Sequence, residues 1–188
     1  MSATSAPFGF RPAYNTIGLE RAKRYAIASG YGTALYKGQP VTVNTNGTIV
    51  TAAGAADLKG ILAGVEFVDA NGKPNLQPNW PAGQTIPAGG FAYAWVWDDP
   101  TIVYEVQATG SIAQAGVGDQ ADAANISSGS AQTGLSQCGL GSLVGAGNQG
   151  QFRVVGFGLA PDNAPGDAYT VVQVQIARDQ YVANKTAV

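Results

Sequence analysis

Residues 91–108 read FAYAWVWDDPTIVYEVQA, and this stretch decides the fold class. Its first half alternates strictly. Phe91, Tyr93, Trp95 and Trp97 fall on one face of an extended chain and Ala92, Ala94 and Val96 on the other, which is the period of a β-strand. The chain then turns: Pro100 biases Asp99 to an extended conformation, and Asp98 is placed to bond the backbone two residues on. TIVYEVQA returns as the second strand of a hairpin.

The same style of sequence extends in both directions from this hairpin. Short β-branched or aromatic runs separated by Gly, Asn, Asp and Pro predict strands within 22–28, 33–37, 39–45, 47–52, 58–68, 101–109, 152–160 and 169–178. Asn46-Gly47 and Asn71-Gly72 mark tight hairpins, the first expected as a type I′ turn with both central residues at positive φ. No 3.6-residue stripe is sustained, so no helix of length is expected. The fold class is all-β, a compact β-barrel or β-sandwich.

Two segments stand apart. Residues 1–18 carry Pro7, Gly9, Pro12 and Gly18, and no periodicity survives that punctuation. They are expected as an extended N-terminal arm, not a strand, ahead of a single β domain spanning 19–188. Fully extended, the first fourteen residues reach ~46 Å, against a radius of gyration of about 16 Å for a domain of this length. Deleting them is expected to leave folding intact. Phe8, Phe10 and Tyr14, with Arg11 among them, are its bulky anchors and the candidate partner-binding residues. Residues 123–150, rich in glycine and free of charged and aromatic side chains, are expected as a long surface loop.

Composition narrows the chemistry. The 188 residues include no histidine, one cysteine and one methionine. Serine triads, Cys-His pairs, histidine-bound zinc and intrachain disulfides are thereby excluded. Charged residues are 12%, and 26 Gly and 10 Pro are present, a bland and turn-rich mixture relative to ordinary globular chains. No apolar run approaches a membrane span, and the N-terminus shows no secretory pattern, so the chain is expected to be made in a cytoplasm. A net charge of -2 argues against nucleic acid as a partner. That sum hides a polarity of +4 over residues 1–56 and -6 beyond, suited to orienting the basic end on an acidic partner.

Carboxylates are the remaining source of general acid–base chemistry. Asp98 and Asp99 are adjacent and face opposite sides of an extended chain, so turn capping is favoured over a shared glycosidase site. Asp119 and Asp122 are better spaced, but are again read as turn acids. DANGK at 69–73 begins like a calcium loop, yet its Gly72 comes early and the twelfth position is Trp80, so hairpin geometry explains it. GLGSLVGAG at 139–147 lacks the Lys-Ser/Thr of a phosphate loop. Cys138 has no basic neighbour to activate it. The stripe Phe91, Tyr93, Trp95, Trp97 is expected to fill the core or a subunit interface, with a sugar- or base-stacking platform as the competing reading.

Four stretches, SAPFGFRPAYN (5–15), AKRYAIASGYGTALYKGQPVTV (22–43), DDPTIVYEVQATGSIAQAGVGDQAD (98–122) and FRVVGFGLAPDNAPGDAYTVVQVQI (152–176), resemble the capsid decoration (cement) proteins of tailed bacteriophages. The resemblance covers most of the chain. It implies a non-enzymatic virion structural protein, typically a homotrimer on the outer surface of the head, that binds across major capsid protein subunits and stabilises the shell. It implies no catalytic, cofactor-binding or metal-ligating residue. Another phage head or tail component is the alternative within that class, and a carbohydrate-binding β module using Trp95 and Trp97 is the alternative outside it.

Overall fold

The computed structural model describes residues 4–145 and 147–182. Its strands, in chain order, are β1 (Arg11–Asn15), β2 (Ala22–Ala26), β3 (Leu35–Tyr36), β4 (Pro40–Val43), β5 (Ile49–Thr51), β6 (Gly60–Val68) and β7 (Pro74–Gln77), followed by β8 (Asn79–Trp80), β9 (Ala92–Trp97), β10 (Ile102–Gln107), β11 (Gln120–Ala124), β12 (Gly139–Leu143), β13 (Phe152–Phe157) and β14 (Val171–Ile176). A 3-10 turn at Gln114–Gly116 is the one helical element among the described residues. No helix among them is long and apolar enough to cross a membrane.

Two six-stranded antiparallel sheets carry the architecture. The first runs β1-β10-β14-β13-β11-β12; the second runs β2-β9-β6-β4-β5, with β7 paired to β6, and the short β3-β8 pair lies apart. The arrangement is sandwich-like, and no barrel closes. The β9–β10 hairpin links the sheets, since β9 belongs to the second and β10 to the first. Two buried clusters form the core, the first built mainly on the first sheet with Ile61 of β6 joining it, the second on the second sheet and the β3–β8 pair. Tyr104, Phe152, Val154, Val174 and Ile176 lead the first; Leu35, Val65, Phe67, Trp80 and Val96 lead the second.

Three expectations change. Residues 11–15 are an edge strand, paired to β10 through Arg11↔Glu105 and Asn15↔Ile102. An edge strand tolerates Pro12, and the register slip between Pro12 and Tyr14 is a bulge that erases the two-residue period. The preceding residues are strapped down as well: Gln107 accepts from the Ala6 N–H and donates to the Thr4 carbonyl. Gly9, at φ +76°, donates to the Cys138 carbonyl, and Phe10 donates to the Gly38 carbonyl at 2.8 Å. Phe10 is thereby fully buried and stacks on Phe152 at 4.3 Å.

The glycine-rich segment is likewise more than a surface loop. Its residues 139–143 form β12, and Cys138, Gly139 and Leu140 are buried. Glycine there allows close approach: a Cβ on Gly139 would stand 2.8 Å from the Gln107 carbonyl oxygen, and one on Gly141 would stand 3.0 Å from that of Asp122.

The two Asn-Gly hairpins share one geometry that differs from type I′. Gly47 and Gly72 have positive φ, whereas Asn46 and Asn71 do not. In each, the glycine N–H donates back three residues, to Asn44 or Asp69. The same side chain accepts from two backbone N–H groups, those of Asn46 and Thr48 or of Asn71 and Lys73. These are three-residue loops with a left-handed glycine in last place. Asp69 is thus committed to its own turn, and those hydrogen bonds, led by Lys73, hold its carboxyl below the usual carboxylate range.

Candidate functional site: the outward face of the second sheet

Alternation along β9 places its small side chains inward. Ala92, Ala94 and Val96 are buried in the second core, whereas Phe91, Tyr93, Trp95 and Trp97 look outward and are half-buried. The expectation that this stripe fills the core is therefore corrected, although Trp97 does rest partly on the first core. The inward space is already occupied by Leu62, Val65, Phe67 and Trp80, and a flat Ala-Ala-Val face lets those larger groups pack against β9.

Cations lie over the outward rings. The Arg24 guanidinium is 4.8 Å from the Tyr93 ring and 5.8 Å from Trp95, because Arg24 pairs with Trp95 across the β2–β9 ladder. The Lys37 ammonium is 6.0 Å from Trp97, and the Arg11 guanidinium is 4.0 Å from Phe8. Phe91 stacks on Tyr93 at 5.4 Å. A cation over a ring is worth ~0.5–1 kcal/mol at an exposed site, so these contacts order the side chains while leaving their edges available.

Two clefts open on this face. One, of about 760 Å³, is bounded by Trp95 and Trp97 and by Leu76, Gln77 and Pro78, with Ala63 and Gly64 among its lining residues. The other, of about 480 Å³, is lined by Phe8, Phe10, Arg11, Pro12 and Leu135. Glu20, Lys37 and Trp97 belong to both. The N-terminal aromatics and the β9 stripe, more than eighty positions apart, thus meet in one continuous surface. Phe8, Arg11, Trp95 and Trp97 are brought together; Tyr14 lies exposed on β1, outside both clefts, and Phe10 serves mainly as core. Sequence reasoning missed Leu76, which is 77% exposed, and Lys37 and Glu20. An exposed leucine on a four-residue strand carried no periodic signal.

The carboxylates do not assemble a catalytic pair. Asp99 caps the β9–β10 turn: its Oδ1 accepts from the Thr101 N–H and hydroxyl, and its Oδ2 from Asn15. Burial pushes its carboxyl up, but the Thr101 and Asn15 hydrogen bonds outweigh it and the group lies below the usual range. The capping role expected of Asp98 thus belongs to its neighbour. Asp98 instead meets Lys23, Tyr25 and Lys59. Asp122 accepts from the Gln151 N–H at 2.9 Å, a structural tie between β11 and the start of β13.

Cys138 is wholly buried. Ser136 donates to its Sγ at 2.9 Å, and the thiol faces the Gly38 carbonyl at 3.4 Å. Burial pushes the thiol up to about 12. The native protein is accordingly expected to resist a thiol-reactive disulfide reagent at pH 8 and to react stoichiometrically once denatured. Rapid labelling of folded protein would contradict this burial.

No protein-family model, curated protein or solved structure matches the chain.

Proposed function

We propose that this chain is a non-enzymatic structural protein of a bacteriophage virion, attached to the outside of the capsid as a homotrimer and stabilising it by binding across major capsid protein subunits. The observation that carries the contact role is the outward aromatic face, where Phe8, Arg11, Trp95, Trp97 and Leu76 border two joined clefts. Aromatic residues and arginine are the side chains on which protein interfaces concentrate their affinity. Assignment to a phage head rests on the resemblance in four stretches of the sequence.

One end of each sheet disfavours edge contact. At its free side β1 carries Pro12 and a bulge, and β2 presents exposed Lys23 and Arg24, all of which discourage strand-to-strand addition. On that side of the molecule, partner contacts then fall on the apolar clefts. Repetition of one contact around a symmetric shell multiplies modest affinity into stable attachment.

Decorated particles imaged by cryo-microscopy should show the protein outside the capsid with the Trp95–Trp97 face against a neighbouring subunit. Trp95→Ala and Leu76→Ser should each weaken attachment to heads by about 30-fold, the equivalent of ~2 kcal/mol for a central interface residue, with unchanged thermal unfolding. A monomer in native mass measurement, combined with undiminished attachment of both variants, would overturn the proposal.

One observation favours a second reading. Two outward tryptophans beside Glu20, Glu66 and Gln77 also suit a neutral sugar, as a stacking surface with hydrogen-bonding rims. Glycan-array binding lost in Trp95→Ala would support that reading. Arg24 and Lys37 over the rings weigh against it.

A further inference from the structure

At the seam where β9 leaves the second sheet, Lys59 and Asp98 are buried together. Their side chains are 5% and 4% exposed, and Lys59 Nζ lies 3.5 Å from Asp98 Oδ2. That same oxygen accepts from the Tyr25 hydroxyl at 2.6 Å and from the Lys23 ammonium at 3.2 Å. Oδ1 is buried with no hydrogen-bond partner. Lys59 Nζ is 4.3 Å from the Tyr181 ring and 5.7 Å from the Tyr25 ring. Asp179 is bridged through its backbone to Leu58. Its Oδ1 accepts from the Tyr181 N–H, and its Oδ2 is buried without a partner.

A buried ion pair that serves stability alone has its lone pairs satisfied by further donors, because desolvation otherwise cancels the attraction. Here every donor converges on one oxygen of Asp98 and leaves the other bare. A buried primary amine is held against a buried carboxyl group, the proximity from which an amide can form.

We propose that Lys59 and Asp98 condense into an intramolecular isopeptide bond. Proton transfer from Nζ to Oδ2, the oxygen it already touches at 3.5 Å, turns the ammonium–carboxylate pair into an amine and an acid. The nitrogen lone pair attacks Cγ, and negative charge develops on Oδ1. A second proton passes from nitrogen to the Oδ2 hydroxyl, and Oδ2 departs as water, assisted by the Tyr25 hydroxyl and the Lys23 ammonium that already donate to it. One C–N bond forms and one C–O bond breaks, with no oxidant, reductant or cofactor. The product ties the residue preceding β6 to the residue following β9, two strands already paired through Ile61↔Trp97. This inference rests on the β body alone and is independent of the capsid reading.

Intact mass of the purified full-length protein, recorded after denaturation, tests it. The expected mass is lower than that of the sequence by one water molecule, and a digest should yield the Lys59 peptide joined to the Asp98 peptide. Lys59→Arg, which keeps a cation beside Asp98 but cannot form this bond under the same conditions, should have its full mass. Wild-type protein at full sequence mass would overturn the proposal, as would a water deficit that persists in Lys59→Arg, since the loss would then come from cyclisation elsewhere.

Discussion

Replacing Phe10 with alanine should lower stability by about 3–5 kcal/mol, the cost of emptying a large aromatic site in a closed core. For a protein of this size that corresponds to roughly a 10 °C fall in Tm. The residue is fully buried, stacked on Phe152, and fixed through its own backbone to Gly38. The hole left behind would be walled by strands of the first sheet, and the Gly38 contact would hold the backbone against collapse. Deleting residues 1–14 should cost more still, because it also removes most of β1 and uncovers β10. Urea unfolding of the two variants checks this. Phe8→Ala supplies the contrast: Phe8 is only half-buried, so its truncation should leave the urea midpoint nearly unchanged. Wild-type stability in Phe10→Ala would mean that the N-terminal segment does not occupy the core.

Gly60→Ala is the second large effect. A Cβ at this position would collide with the Trp97 carbonyl oxygen and stand 2.7 Å from Val96 Cγ1. The first obstacle is the backbone of the paired strand, so no rotamer change relieves it. Overpacking commonly costs ~1–3 kcal/mol, and a clash with paired backbone belongs at or above the top of that range. The expected result is loss of more than about 3 kcal/mol, or failure to accumulate folded protein. Gly64→Ala, four residues further along β6, would place its Cβ 3.1 Å from the Gln77 carbonyl and should be milder. Gly54→Ala meets nothing within 4 Å and should be nearly neutral. Equal melting temperatures across the three variants would contradict the close approach of β6 and β9.

Much of this fold was legible in the sequence for local reasons. Each run of β-branched and aromatic residues singled out as a strand contains one, because its bounding Gly, Asn, Asp and Pro residues set the turns. Strands without such patterning were not legible. Pro12 and a bulge disguise β1; β12 carries glycine at two of its five positions, where it lets Gln107 and Asp122 come near. Alternation in β9 shows which residues share a face, but not which face turns inward. That depends on Phe67 and Trp80, brought from other parts of the chain. For the same reason Phe8 and Trp97 could be singled out separately, while their meeting in one cleft could not. Asp98 illustrates a similar limit: its partners Lys23, Tyr25 and Lys59 come from two other segments.

The inward placement of Ala92, Ala94 and Val96 separates two kinds of selective pressure on a single strand. Every second position is constrained by folding, and of the outward positions between them only Trp97, which rests partly on the first core, shares that constraint. Changes at Trp95 or Tyr93 can therefore accumulate without threatening the scaffold, so a lineage could exchange one partner for another while keeping the same body. The same independence makes this face suited to library-based engineering of new binding specificities on a fixed β framework.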